Sequence, residues 1–189
     1  MTKQLTLAGG CFWGMEALYR GLPGVVDVTC GYANGDSPDH ANYETVCTGR
    51  TGFREAIRVQ YDPALISLEH LLFAFFAVVD VETPNRQGPD VGSQYQSGIY
   101  WENGQDEAPI RAVAQLEAAA VPVFAVELKP LACFYPAEAY HQRYLEKHPQ
   151  GYCHVALWRR QALPRYPFTP AAYTQPAARL LEAWRDARA

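Results

Sequence analysis

The sequence predicts an α+β fold, in which a mixed sheet built in the order β-α-β-β-α-β carries helices and further elements at its C-terminal end. Two observations support this prediction. Of the 189 residues, 49% are hydrophobic and 19% are charged, a composition typical of a globular protein with its own core. Short apolar runs also alternate along the chain with longer stretches of helical periodicity.

The first half of this order consists of four segments. They are a strand over residues 5–8, a helix from near Cys11 to about Arg20, a strand over 25–31 and a strand over 55–61. The strand at 5–8 ends at Gly9-Gly10, and Gly21 is typical of the end of a helix. Residues 55–61 alternate between apolar and polar side chains, which predicts a strand with one buried face.

The second half consists of five further segments. They are a helix that Ser67 caps and that runs to about Val79, a strand over 99–101, a helix over 108–120, a strand over 123–128 and a helix over 137–147. Together, the two halves predict the ferredoxin-like split βαβ arrangement with extra C-terminal elements.

We expect residues 1–189 to form a single domain, because no internal repeat or low-complexity segment divides the chain. Residues 160–189 form a C-terminal extension that is rich in proline at first and predicted to be helical over 177–187. Two loops, 34–42 and 81–96, are long, polar and rich in Gly and Pro. Loops of this length in a compact domain are more often functional than idle.

Charge and hydropathy exclude several classes of partner. The formal net charge is −4, and no cluster of Lys and Arg reaches the density of a nucleic-acid footprint. Residues 1–8 lack the apolar stretch of a signal peptide, and the longest apolar run, 71–79, is too short to span a membrane. We therefore expect a cytoplasmic monomer with neither a nucleic-acid nor a membrane partner.

The five cysteines do not form the pattern of a disulfide scaffold or a metal site. Their number is odd, they are widely spread, and no CxxC or zinc-type spacing occurs. They are Cys11, Cys30, Cys47, Cys133 and Cys153. In a reducing compartment most such cysteines are buried apolar residues, so the question is which one is chemically active.

Cys11 lies where the first strand gives way to a helix. The unpaired N–H groups and the positive end of the helix dipole favour a thiolate there. Gly9 and Gly10 permit a tight turn, and Phe12 and Trp13 supply an apolar surface beside the sulfur. The alternative is a buried cysteine with two core aromatics, and the residues alone leave that alternative open.

The run GGCFWG at residues 9–14 resembles the signature of the A-type peptide methionine sulfoxide reductases, which act on the S epimer of the sulfoxide. The resemblance continues to about residue 155 through several motifs in the same order. These are GY at 31–32, YETVC at 43–47, TG at 51–52, residues 56–63, NRQG at 85–88, DVGSQY at 90–95, FYPAE at 134–138, HQ at 141–142 and GYCH at 151–154.

The resemblance implies a role for each residue around the nucleophile. Cys11 would attack the sulfoxide sulfur, release methionine and become a sulfenic acid. Phe12 and Trp13 would form the pocket for the methyl group. Glu55 would donate a proton to the sulfoxide oxygen, which requires a raised pKa and hence an apolar surround. From its position alone, Glu55 could equally be a surface residue of an alternating strand.

Three further residues match the family's polar groups. Tyr43 and Tyr95 would donate their hydroxyls to the same oxygen, and Asp90 would help to hold a bound water and the hydrogen bonds of the site. Without the resemblance, Asp90 is a plausible turn residue beside Pro89 and Gly92.

The resemblance also implies how the enzyme is recycled. Cys153 matches the resolving cysteine, which would form a disulfide with Cys11 that thioredoxin then reduces. No cofactor and no metal is implied, since thioredoxin acts as an external reductant. Cys30, Cys47 and Cys133 are interpreted as structural, although Cys47 lies close in sequence to Tyr43.

The chain departs from the family pattern beside its acid. Phe53-Arg54 directly precedes Glu55, where the family has a histidine and an alanine. If Arg54 pointed inward, it would lower the pKa of Glu55 and weaken proton donation.

Other chemistries that use a cysteine fit less well. A peroxide-consuming thiol enzyme would need a Thr or Ser and an Arg around Cys11, and the sequence has no such cluster there. A cysteine hydrolase would need a histidine base, and five histidines leave that possibility open. A module that only binds oxidised methionine would need neither Cys11 nor Cys153.

Overall fold

The computed structural model describes residues 1–188 and confirms the α+β fold class. Its main sheet has six strands in the spatial order β7-β6-β1-β3-β2-β8. The strands of this sheet are β1 (Lys3–Ala8), β2 (Val25–Ala33), β3 (Arg54–Tyr61), β6 (Gly98–Trp101), β7 (Glu127–Pro130) and β8 (Phe134–Pro136). A separate two-stranded hairpin pairs β4 (Arg86–Gln87) with β5 (Asp90–Val91).

Within the described residues, four helices lie between strands in the chain, and three follow β8. They are α1 (Phe12–Arg20), α2 (Tyr43–Val46), α3 (Leu68–Phe76), α4 (Glu107–Ala118), α5 (Tyr144–Lys147), α6 (Leu157–Ala162) and α7 (Ala177–Asp186). The chain order β1-α1-β2-β3-α3-β6 is the predicted β-α-β-β-α-β unit, and its strands pair antiparallel in the order β6-β1-β3-β2. The parallel strand β7 and the antiparallel strand β8 extend this unit at its two edges.

Two predicted elements were wrong. The strand predicted over 123–128 begins only at Glu127, because Ala125 donates its backbone N–H to Val81 in a loop instead of to a strand. The helix predicted over 137–147 is reduced to Tyr144–Lys147. Its first half is held in turns by the Gln142 side chain, which bonds both the N–H and the carbonyl of Cys30 on β2.

The core lies mainly between α1, α3 and the sheet. Leu5, Leu7, Ile57 and Val59 are fully or almost fully buried on this face, and Phe75 of α3 is equally buried. Burial of this apolar surface is the main force that holds β1, β3 and the helices together. Among residues 1–188, no helix combines the length and the apolar character that crossing a membrane requires.

The C-terminal extension packs onto the rest of the protein. Helix α7 contacts α3, and Ala177 and Leu181 of α7 are fully buried. The buried Glu117 carboxylate of α4 accepts hydrogen bonds from the Tyr173 hydroxyl at 2.6 Å and from the Ala177 N–H at 2.9 Å. Since the Ala177 N–H is at the start of α7, this carboxylate also caps the helix.

Candidate active site

Cys11 is the residue immediately before α1, at the end of the turn that follows β1, and only 6% of it is exposed. Burial raises the pKa of its thiol, as does the nearby Glu55 carboxylate, while the backbone N–H of Trp13 lowers it. The net direction is upward, so burial outweighs the helix terminus that we expected to favour a thiolate. At neutral pH Cys11 is therefore a neutral thiol.

Glu55 reaches the same point from β3. Its carboxylate accepts a hydrogen bond of 3.1 Å from the backbone N–H of Phe12, the residue next to Cys11. The side chain is almost completely buried, and this burial raises the pKa of Glu55 from 4.5 to about 8, an effect that the Phe12 N–H partly offsets and the charge of Asp90 reinforces. At neutral pH Glu55 therefore holds a proton that it can donate.

Arg54 does not lower the pKa of Glu55. Its guanidinium bonds the Glu127 carboxylate at 3.0 Å and the Gly52 carbonyl at 3.0 Å, and Glu127 also accepts from the Tyr100 hydroxyl at 2.6 Å. Successive residues of a strand point to opposite faces of the sheet, so Arg54 lies on the face away from Glu55. Although Phe53-Arg54 departs from the family pattern, Arg54 therefore does not place a positive charge beside Glu55.

A cavity of about 130 Å³ brings the predicted site residues together. Its lining consists of Cys11, Phe12, Trp13, Tyr43, Glu55, Asp90, Tyr95 and Tyr152. All the residues predicted for the first chemical step line this cavity. Tyr152 was not predicted, although its place in the motif GYCH beside Cys153 was a signal that could have identified it.

Trp13 is held in place by two residues from the segment around α5. Its indole Nε1–H donates to His141 Nδ1 at 3.1 Å, and its ring stacks on Tyr144 with 3.7 Å between centroids and 11° between planes. His141 is fully buried. It therefore fixes the indole that lines the pocket, a positioning role that the sequence did not indicate.

Tyr43 and Tyr95 both line the pocket. Burial raises the pKa of both phenols, with contributions from Cys47 at Tyr43 and from Glu55 at Tyr95, so both stay protonated. The Tyr43 backbone N–H donates to the Glu138 carboxylate at 2.8 Å, which fixes the start of α2. A neutral phenol is the form that can donate to a sulfoxide oxygen.

Asp90 joins the β4–β5 hairpin to the segment before α6. Its carboxylate accepts a 2.8 Å hydrogen bond from the hydroxyl of Tyr152, which is part of the same pocket wall. Tyr152 directly precedes Cys153 in the chain. This hydrogen bond therefore links Asp90 in the pocket wall to the segment that carries Cys153.

Cys153 lies outside the pocket, against the first turn of α1. A Cβ atom on Gly14 would be 3.0 Å from the Cys153 sulfur, so the absence of a side chain at Gly14 permits this approach. The Cys153 thiol donates to the Val155 carbonyl at 3.3 Å. All five cysteines are unpaired, and within residues 1–188 no cluster of three or more His, Cys, Asp or Glu side chains could hold a metal.

The site thus combines one buried thiol, one protonated carboxyl and two neutral phenols in a small pocket whose apolar wall is Phe12 and Trp13. Proton donors that line the same pocket as a thiol can protonate a polar oxygen of a bound group while the thiol sulfur attacks that group. The fold and site define a cysteine-dependent oxidoreductase.

Comparison with protein families identifies the group within that class. The family model described as peptide methionine sulfoxide reductase matches residues 3–166. The chain belongs to the peptide methionine sulfoxide reductase family. The peptide methionine sulfoxide reductase MsrA of Alkaliphilus metalliredigens is 45% identical over 156 residues, which cover 82% of this chain and 98% of that protein. The MsrA of Clostridium perfringens strain 13 is 44% identical over the same length, with 99% of it covered.

Solved structures agree with this assignment. Reduced Mxr1 from Saccharomyces cerevisiae has a TM-score of 0.78 and 40% identity, over 82% of this chain and 92% of that chain. Methionine sulfoxide reductase A of Corynebacterium diphtheriae has a TM-score of 0.69 and 34% identity, over 80% and 77%. Mxr1 has also been solved in complex with Trx2, with a TM-score of 0.52 and 27% identity, over 76% and 84%.

Proposed function

We propose that this protein reduces methionine (S)-S-oxide, either free or within a peptide, to methionine. The observation that carries the proposal is that Cys11 and the protonated Glu55 line one small pocket whose apolar wall is Phe12 and Trp13. An apolar pocket of this size suits a methyl group bound to sulfur. The A-type motifs of the sequence support the choice of the S epimer.

In the proposed first step, the Cys11 sulfur attacks the sulfoxide sulfur while Glu55 gives its proton to the sulfoxide oxygen. The oxygen leaves the substrate for the Cys11 sulfur, which yields a sulfenic acid on Cys11 and methionine, free or within the peptide. The proton that the Cys11 thiol loses returns to Glu55, so the step consumes no net proton. Tyr43 and Tyr95 stabilise the developing charge on the oxygen with their hydroxyls.

In the proposed second step, the Cys153 thiol condenses with the Cys11 sulfenic acid and releases water. Its position against the first turn of α1, one helical turn from Cys11, supports this role. The resulting disulfide is passed to thioredoxin, and the complex of the related Mxr1 with Trx2 supports that partner. The other partners in this proposal are the substrates, which are oxidised proteins or peptides that carry methionine sulfoxide.

We further propose that the protein needs no prosthetic group and works as a monomer in the cytoplasm. Five unpaired cysteines are typical of proteins from a reducing compartment.

An assay with separate epimers tests the proposed reaction. Purified protein with dithiothreitol should reduce a peptide that carries methionine (S)-S-oxide and leave the R epimer unchanged. No turnover, or equal turnover of both epimers, would contradict the assignment.

Cysteine variants test the proposed roles. Cys11→Ser should abolish the release of methionine in a single turnover without reductant. Cys153→Ser should release one equivalent of methionine but fail to recycle with thioredoxin, whereas the control Cys133→Ser should do both. Normal recycling of Cys153→Ser would move the resolving role to another thiol, with Cys47 the first candidate.

A further inference from the structure

His154, next to the resolving cysteine, lies in the groove between Gly10 and Gly14. Its Nε2 is 2.8 Å from the Gly9 carbonyl oxygen and would be 3.2 Å from a Cβ on Gly10. A carbonyl oxygen can only accept a hydrogen bond, so Nε2 carries the ring proton in this contact. The neutral ring must then have a free lone pair on Nδ1.

That second nitrogen has no partner. Within residues 1–188, His154 Nδ1 is one of the buried polar atoms without a hydrogen bond. Burial lowers the pKa of His154, although its bond to Gly9 and the charge of Asp90 oppose the effect, so the ring is neutral at physiological pH. A buried acceptor without a donor is unfavourable, and it is retained most readily where it serves a chemical step.

The free nitrogen and the Cys153 thiol both face the first turn of α1 at Gly14. A Cβ on Gly14 would be 3.0 Å from Cys153 Sγ and 3.1 Å from His154 Nδ1, so both atoms approach the same point on the first turn of α1. This turn begins at Cys11, the residue with which Cys153 must react.

The thiol itself needs a base. Burial raises the pKa of Cys153, an effect that the positive charge of Arg160 only partly offsets, so the group stays a thiol at neutral pH. Its present partner, the Val155 carbonyl, accepts a hydrogen bond but cannot remove the proton. A thiol is a poor nucleophile until the proton is removed.

We propose that His154 is the general base that takes the proton of the Cys153 thiol when this thiol attacks the oxidised Cys11, an inference that rests on the resolving role proposed above for Cys153. The Cys153 sulfur forms the S–S bond as the S–O bond of the Cys11 sulfenic acid breaks. His154 Nδ1 takes the thiol proton and gives it to the departing hydroxide, which leaves as water. Cys153 is oxidised and Cys11 is reduced, so no further reactant is required.

Charged and titratable groups from several elements face this pair. The charge of Cys153 raises the pKa of Cys11, at the start of α1, and of Tyr152. Asp90 on β5 is the carboxylate whose charge reaches His154, and Arg160 on α6 is the cation whose charge reaches Cys153. The pH dependence of disulfide formation should therefore depend on His154, with these groups shifting its midpoint.

The variant His154→Gln tests the proposal, because its amide N–H can still donate to the Gly9 carbonyl while it supplies no base. Enzyme is mixed with one equivalent of the sulfoxide peptide without reductant, quenched with an alkylating agent, and analysed for methionine and for the Cys11–Cys153 disulfide. In His154→Gln, methionine release should stay at the wild-type rate and disulfide formation should slow by about 100-fold. The exposed His40→Gln is the matched control and should behave as wild type.

A second variant separates base catalysis from packing. In His154→Ala, added imidazole should speed disulfide formation without changing methionine release. Wild-type disulfide formation in His154→Gln, or an equal loss of both steps in His154→Ala that imidazole does not restore, would overturn the proposal. A wild-type enzyme that releases methionine but forms no Cys11–Cys153 disulfide would instead contradict the resolving role of Cys153.

Discussion

At the scale of single residues, the two protons of Cys11 and Glu55 decide the chemistry. Burial raises the pKa of both groups, the charge of Glu55 raises the pKa of Cys11 further, and the charge of Asp90 raises the pKa of Glu55 further. The site therefore holds a neutral thiol and a neutral acid until a substrate with a polar S–O bond arrives. The sulfoxide oxygen then accepts the proton that Glu55 carries.

The pKa of Glu55 predicts how the first step depends on pH. The protonated donor predominates below about pH 8 and is lost above it, so the rate of methionine release in a single turnover should fall as the pH rises through about 8. Glu55→Gln should be slower by a factor of roughly 100 to 10,000 and should lack this alkaline decline. An unchanged decline in Glu55→Gln would assign it to another group.

The stacking of Trp13 on Tyr144 gives a second prediction for single residues. Tyr144→Ala removes the ring that holds the indole and should lower kcat/KM by about 3- to 10-fold, the equivalent of roughly 0.5–1.5 kcal/mol for an aromatic pair. Tyr144→Phe keeps the stacked ring and should retain nearly full activity. Steady-state kinetics on the sulfoxide peptide measure both variants, and equal losses would show that the hydroxyl matters more than the ring.

At the scale of elements, the alternation of β3 separates two neighbouring charged residues. Glu55 faces the pocket and Arg54 faces the opposite side of the sheet, where it pairs with Glu127 of β7. A shift of β3 by one residue would move every side chain of the strand to the opposite face of the sheet and would place the Arg54 guanidinium on the face of Cys11. Pairing of β3 with β1 on one side and β2 on the other prevents such a slip.

Arg54→Ala tests this separation of faces. Loss of the partner of the half-buried Glu127 should lower the free energy of unfolding by about 1–3 kcal/mol, while the pH profile of methionine release stays as in the wild type. Arg111→Ala, which breaks an exposed pair with Glu107, should change stability by less than about 0.5 kcal/mol. Chemical denaturation measures both, and a shifted pH profile in Arg54→Ala would show that Arg54 does act on Glu55.

At the scale of the whole molecule, the C-terminal extension packs against α3 and α6 and holds them in position. Helix α7 contacts α3, and Arg159 of α6 bonds the Ala77 carbonyl after α3 and the Glu182 carboxylate of α7. The segment that carries Cys153 and His154 runs directly into α6. The extension therefore fixes the far end of the resolving segment without contributing a residue to the pocket lining.

Leu181→Ala measures how much the packing of this extension contributes to the free energy of unfolding. The side chain is fully buried, so its truncation should lower the free energy of unfolding by about 2–5 kcal/mol. Arg179→Ala, at an exposed position on the same helix, should change it by less than about 0.5 kcal/mol. Thermal unfolding follows both variants, and the folded fraction of Leu181→Ala should release methionine at the wild-type rate.

The sequence by itself determined the order β-α-β-β-α-β along the chain and most of the residues that line the pocket. Apolar periodicity and turn glycines are local signals, so β1, α1, β2, β3 and α3 could be predicted to within a few residues. The helix predicted over 137–147 failed because contacts remote in sequence hold this segment: the Gln142 side chain bonds the Cys30 backbone, and the Glu16 carboxylate accepts a hydrogen bond from the Arg143 N–H.

Only the tertiary structure decided how the site is tuned. The raised pKa of Glu55 comes from burial by distant elements, Trp13 is oriented by His141 across 128 positions of sequence, and Tyr152 reaches Asp90 across 62. Such effects depend on side-chain direction and on the exclusion of water, which no local pattern encodes. The motif around Cys11 predicted which cysteine lines the pocket, and the packing of remote segments formed that pocket and raised the pKa of Glu55.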